Sequence, residues 1–173
     1  MTALSDLRIP YGAYWSTPFA RWQGSLADLH SLRFAAATGA KVAKDKKWPL
    51  EKLDHAVLGF TVPQDQSFFG APWVMSMIGA PNLTGPTVMQ ACATSARALH
   101  TAVGELCDDH AGASLIVTCD RTSNGPMVLY PNPRSPGGAP EVENWVLDNF
   151  GEDPNTRLAM VDTAENCARD WNI

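Results

Sequence analysis

A chain of 173 residues, 45% apolar and 18% charged, holds enough apolar material for one domain with a true core, or a domain with an appendage. Its formal charge of −5 argues against nucleic acid as a main partner, because binding a phosphate backbone requires a basic face. No segment has the unbroken apolar length of a membrane span, and the start, MTALSDLRIPYG, lacks the charged-then-apolar order of a signal peptide. We therefore expect a cytoplasmic protein without a membrane partner.

In chain order, LRIPYGAY (7–14) reads as a first strand, ended by Ser16-Thr17-Pro18. Ser25 and Asp28 form a capping-box pattern, and Leu29, Leu32, Ala36, Ala40 and Ala43 give the stripe of a first helix. The basic run KVAKDKK (41–47) reads as the solvated end of that helix. HAVLGFTV (55–62) is a continuous apolar run suited to a strand covered on both faces. Residues 66–79 suit a helix interrupted or started by Pro72, and TGPTVMQA a third strand. A helix is expected over Cys92–Cys107, with Ala96, Leu99, Val103 and Leu106 on one face, and a fourth strand over 113–120. Strand and helix thus alternate four times, which predicts an α/β layered domain with a mostly parallel sheet. After Asp120 the texture changes. GPMVLYPNPRSPGGAP is crowded with proline and glycine and reads as an excursion, EVENWVLDNF (141–150) suits a short helix, and Asp162/Thr163 with Glu165 open a final one. The expected division is 1–120 and 121–173.

Four cysteines, Cys92, Cys107, Cys119 and Cys167, are widely spaced without a CxxC, which predicts neither a disulfide framework nor a zinc knuckle. The four histidines form no HExxH or comparable pair, so no metal is expected. Cys92 stands where a strand passes into a helix. Unpaired N–H groups at a helix N-terminus favour an anion and can turn a thiol into a nucleophile. The same position also suits a small apolar residue filling a corner, since free cysteine is often core. Position alone leaves both readings open.

Four islands in order resemble the thiolases, acyl-CoA acetyltransferases that join or cleave 3-ketoacyl-CoA. STPFARWQGSLAD (16–28) resembles RTPFGxFxGxLAD, and LEKLDHAVLGFTVPQDQ (50–66) the D-x-V-x-x-G-x-V-x-Q segment. TVMQACATSARA (87–98) is similar to the nucleophile segment TVNKVCGSGLKA, and MVDTAENCARDWNI (160–173) to M-G-x-TAENxAxxxxI. The resemblance implies the N-terminal half of a thiolase-like layered fold plus the start of its loop domain. It implies that Cys92 is acylated by an acyl-CoA and passes the acyl group to a second acyl-CoA, or to CoA in reverse. Its backbone N–H is then a candidate oxyanion donor. Cys107, Cys119 and Cys167 are left as structural. No cofactor is expected beyond coenzyme A thioesters as substrates.

The sequence also departs from the family pattern. Met89-Gln90-Ala91 and Ala93-Thr94-Ser95-Ala96 replace the usual flanks of the cysteine, and CDRTSNGPM (119–127) replaces a glycine-rich GGMESMS. The histidine base and second cysteine of the family's C-terminal half have no counterpart here. The resemblance therefore implies a complementary thiolase C-terminal polypeptide and a homo- or hetero-oligomer, with this chain acting in lipid metabolism. Two other readings fit the same residues. One is a non-catalytic scaffold subunit with a vestigial cysteine. The other is a ketoacyl-synthase-like condensing enzyme, because QACATS also resembles TACATS.

Overall fold

The apolar run beginning at residue 55 lies at the centre of the fold. In the computed structural model, which describes residues 2–173, it forms β1 (His55–Gly59). β2 (Thr87–Val88) and β3 (Ser114–Thr118) flank it in a parallel sheet of order β2-β1-β3. Leu58 is in register with Thr87 on one side and with Val117 on the other. Successive strand side chains point to opposite faces, and here both faces are covered. Ala56, Leu58, Leu115 and Val117 meet α1 (Ser31–Asp45) and α2 (Ala71–Ile78), whose Leu32, Ala36, Val74 and Met75 complete the larger core. Val57 points the other way, onto Ala98 and Ala102 of α3 (Thr94–Cys107). Burial on two sides is why β1 lacks a polar alternation.

The α1 stripe is in place at Leu32, Ala36 and Ala43, but the helix starts later than expected. Residues 25–28 are in turns, and His30 caps α1, its Nδ1 accepting from the Arg33 N–H at 3.4 Å. Gly39 sits where α1 meets α2: a Cβ there would stand 3.2 Å from Ile78 Cδ1. The helix expected over 66–79 is divided. A single 3₁₀ turn, Ser67–Phe69, leads through Gly70 at φ +54° into α2, with Pro72 in its first turn. Gly70 is required on two counts, because a Cβ would also lie 2.1 Å from Thr87 Oγ1.

Residues 7–14 form no strand, so the parallel sheet has three strands instead of the four expected. Pro10 has no N–H for a ladder, and Gly12 at φ +75° turns the chain.

Contacts divide the chain into two units, one ending at Ser123 and one running from Asn124 to Ile173. The second contains an antiparallel pair, β4 (Met127–Tyr130) and β5 (Glu141–Asn144), joined by the proline- and glycine-rich loop. The excursion thus holds a hairpin, and the helix expected over 141–150 is half strand. Glu141 and Glu143 alternate with Val142, and Tyr130 Oη donates to Glu143 across the pair at 2.7 Å. Only α4 (Leu147–Gly151) is helical there. α5 (Met160–Trp171) begins earlier than expected, with the Asp162 carboxylate accepting from the Ala159 N–H at 3.2 Å.

The carboxylate of Asp54, just before β1, accepts from the N–H groups of Gly112 (2.9 Å) and Ala113 (3.0 Å), just before β3. The Ala113 and Gly112 amides hold its pKa below the ordinary carboxylate value. Stability from such a group is complete above the ordinary pKa and is lost as pH falls through the folded-state value. Asp54→Asn should therefore lower Tm at neutral pH, and the gap to wild type should close in acid. A gap that stays constant across a pH series of thermal melts would contradict this.

Candidate active site

The three parallel strands end at Gly59, Val88 and Thr118, and each is followed by polar residues at the same edge of the sheet. Crevices outside the carboxyl ends of parallel strands are where open α/β sheets bind ligands. After β2 the backbone leaves ordinary conformations. Gln90 has φ −150° and ψ 42°, Ala91 has φ +45°, and a 3₁₀ turn over Ala91–Ala93 leads into α3. Cys92 is the middle residue of that turn, and it is exposed. The expected strand-to-helix corner is thus an elbow in which the cysteine is presented, not packed.

Thr94, the first residue of α3, is buried, and its hydroxyl braces the elbow. Thr94 Oγ1 accepts from the Gln90 N–H at 2.9 Å and donates to the Ala91 carbonyl at 2.7 Å. Thr61 Oγ1, from the segment after β1, lies 3.1 Å from Thr94 Oγ1. Asp120, after β3, accepts from the amides of Thr61 (3.0 Å) and Val62 (2.7 Å). Burial raises the Asp120 pKa, and the Val62 and Thr61 amides oppose that rise. On the outer side, Arg97 Nε donates to Gln90 Oε1 at 2.7 Å. Gln90, Ala93, Ala96, Arg97 and His100 line a shallow open depression beside the elbow.

The sequence places Cys92 at this junction, as the structure does, and gives no sign that Thr61, Thr94 and Asp120 gather beside it. What they share along the chain is their position, each just past or beside the end of a strand. The segment 119–123 also anchors the STPF island: Ser123 Oγ accepts from the Gln23 N–H at 2.8 Å, and Arg121 Nη1 donates to the Leu29 carbonyl at 2.8 Å.

Three of the four histidines are engaged elsewhere. His30 Nε2 donates to the Asp65 carbonyl at 2.6 Å, since its Nδ1 is the acceptor in the α1 cap. His55 Nδ1 meets Ser114 Oγ at 2.9 Å, and His110 lies 3.4 Å from Glu105. Cys119 packs against the larger core, Cys107 ends α3 half-buried, and Cys167 is exposed on α5 rather than packed. Among the described residues no helix is long and apolar enough to cross a membrane.

Residues 13–173 match the family model for the N-terminal domain of thiolase. The chain belongs to the thiolase family. The acetyl-CoA acetyltransferase of Saccharomyces pastorianus is 27% identical over an alignment of 164 residues that covers 91% of this chain and 40% of that protein. Among solved structures, the Syntrophomonas wolfei acetyl-CoA acetyltransferase aligns with a TM-score of 0.75 at 22% identity, covering 91% of this chain and 40% of that one. Human mitochondrial 3-ketoacyl-CoA thiolase, solved in complex with CoA, gives 0.71 at 23% identity, with coverage of 91% and 40%. The Bacillus anthracis acetyl-CoA acetyltransferase gives 0.71 at 20%, with coverage of 89% and 39%. These likenesses show the thiolase fold. The thiolase chain described here spans about two fifths of the length of each relative.

Two cysteines at this end of the thiolase sheet have opposite environments. Burial, and then the neighbouring Asp120 charge, push the Cys119 thiol up to about 12, so it stays protonated at neutral pH. Iodoacetamide applied to the native protein near neutral pH should label the Cys92 peptide and leave Cys119 unlabelled until the protein is unfolded. Native-state labelling of Cys119, read by peptide mass, would contradict this.

Proposed function

We propose that this chain supplies the acyl-accepting cysteine of a thiolase-type acyltransferase that forms or cleaves 3-ketoacyl-CoA. The observation that supports it is the exposed thiol of Cys92 on a constrained elbow at the carboxyl edge of the sheet, inside TVMQACATSARA of a thiolase N-terminal domain. In this reading the Cys92 thiolate attacks the thioester carbonyl of an acyl-CoA. A Cys92 S–C bond forms, the bond to the CoA sulfur breaks, and CoA leaves with a proton. The α-carbon of a second acyl-CoA, after losing its proton to a base, then attacks the acyl-Cys92 thioester and frees the thiolate. Covalent catalysis divides one difficult step into two. The Cys92 backbone N–H, close to the start of the 14-residue α3, is the group we assign to the developing oxyanion.

The α-proton must be removed by a positioned base. We assign that base, with acyl-CoA and CoA contacts, to a complementary thiolase C-terminal polypeptide, either as a separate chain or as a continuation of this one. Three histidines of this chain already have other partners, and one side of α3 supports the assignment. The helix lays only Thr94, Ala98 and Ala102 in buried positions, while Leu99 is 43% exposed and Ala96 is exposed beside it. Half of the apolar face expected on α3, Ala96 and Leu99, is therefore exposed among the described residues, and such surface favours cover by another apolar layer.

The test uses the full assembly. After incubation with acetyl-CoA and digestion, the acetyl mass should appear on the Cys92 peptide. Cys92→Ser should cut thiolysis by about a hundredfold or more with little change in Tm, because serine without an adjacent base is a far weaker nucleophile. Acetylation at another cysteine, or near-normal turnover in Cys92→Ser, would transfer support to the scaffold reading.

A further inference from the structure

We infer that Thr94 is a positioning residue for acyl transfer, acting through its hydroxyl on the Gln90–Ala91 backbone that presents Cys92; this rests on Cys92 being the nucleophile. A non-glycine residue at positive φ persists only when its surroundings over-determine it. Ala91, at φ +45°, is such a residue, and it immediately precedes the thiol.

The Thr94 hydroxyl supplies the constraint. A hydroxyl has one proton to donate and two lone pairs. The proton goes to the Ala91 carbonyl at 2.7 Å, and the lone pairs take the Gln90 N–H at 2.9 Å and the Thr61 hydroxyl at 3.1 Å. The full capacity of one buried group is therefore used. It is not spent on capping the helix: the N-cap of α3 is Ala93, which makes no side-chain cap bond, and Thr94 bonds backward to the elbow. The methyl group has a separate task. Thr94 Cγ2 rests over Gly59, where a Cβ would come within 2.7 Å, so the side chain is wedged against the sheet while its hydroxyl faces the turn. Asp120 extends the brace by holding the Thr61 and Val62 amides. The ends of all three strands are thereby joined to the residue before Cys92. Without the hydroxyl, the Gln90 N–H loses its acceptor and the Ala91 carbonyl keeps only the Thr94 N–H and a longer 3.5 Å bond from Thr61 Oγ1, so the elbow is free to return toward negative φ, which redirects Cys92.

The two roles of Thr94 separate cleanly by substitution. Thr94→Val keeps the shape and removes the hydroxyl, whereas Thr94→Ser keeps the hydroxyl and removes the methyl. Transfer of acetyl from acetyl-CoA to Cys92 is followed in a single turnover by peptide mass in the full assembly, with iodoacetamide alkylation of Cys92 and Tm measured alongside. Thr94→Val should slow acetylation about tenfold to a hundredfold, the cost typical of a small misplacement, while alkylation by the small reagent changes little. Thr94→Ser should restore most of the acetylation rate. Wild-type acetylation in Thr94→Val, or a Thr94→Ser as slow as Thr94→Val, would overturn the proposal, the latter because the methyl would then be the group that matters. If Thr94→Val does not fold, Thr61→Val decides, since it deletes the hydroxyl's bonds to Thr94 and to the Ala91 carbonyl and leaves the Asp120 clamp on the backbone. Slowed acetylation supports the brace and an unchanged rate overturns it. If wild-type Cys92 accepts no acetyl group, the nucleophile reading itself fails and takes this proposal with it, and the wild-type arm alone identifies that case.

Discussion

At the last residue of β1, a Cβ would stand 2.7 Å from Thr94 Cγ2 and 3.0 Å from Thr118 Cγ2. The first turn of α3 is thus seated on the backbone of Gly59, nearer than any side chain there permits. The rest of the site depends on this approach. It brings the Thr94 hydroxyl within reach of the loops after β1 and β2 together, and it continues along the helix as Ala98 and Ala102 against Val57. A larger residue at 59, 98 or 102 would lift the helix and open the hydrogen bonds at its start, since close-packed interiors do not absorb even a methyl group without cost.

The same approach explains where the amino-acid pattern misleads. Ala96, Leu99, Val103 and Leu106 share the one apolar face that periodicity gives α3, and the last three are bulkier than any residue of the opposite ridge. The sheet instead selects the smallest ridge, Thr94, Ala98 and Ala102, because a close contact needs small residues. Other elements were legible because one local rule sufficed. β1, β3, α2 and most of α1 are where their apolar runs and stripes put them, and Cys92 is at the junction its neighbours indicate. Residues 7–14 and 141–144 were misassigned for the opposite reason. The first has strand-like side chains without a partner strand, and the second has a helix-compatible composition recruited into a hairpin by β4. Thr61 and Asp120 were invisible to a linear reading, since 59 residues separate two groups that meet at 3.0 Å.

Residue type also decides less than surroundings at the two cysteines nearest this edge of the sheet. Cys119 follows β3 and packs on the core beneath α1 and α2, where desolvation and Asp120 keep sulfur protonated. Cys92 follows β2, where the chain turns outward and the thiol is exposed. Both residues come one or a few positions after a parallel strand. What separates them is the backbone: Gln90 and Ala91 leave the extended conformation and carry the side chain out of the layer.

A helix with a small ridge on one side and an apolar stripe on the other is built to lie between two layers. Among the described residues the sheet covers the ridge side, Val103 and Leu106 are half-buried, and Ala96 and Leu99 at the N-terminal end of the stripe are exposed. Leaving Leu99 exposed on a helix whose N-terminus follows Cys92 costs apolar burial of the order of 1 kcal/mol or more per large side chain. Covering the stripe with a second layer recovers that energy, and it also places the covering surface next to the depression formed by Gln90, Arg97 and His100. Under the reading proposed here, the contact that buries α3 and the contact that completes the chemistry are therefore the same event. Assembly would then be coupled to activity through the helix that holds the elbow, because any surface that seats against Ala96 and Leu99 must pass within a few residues of Cys92.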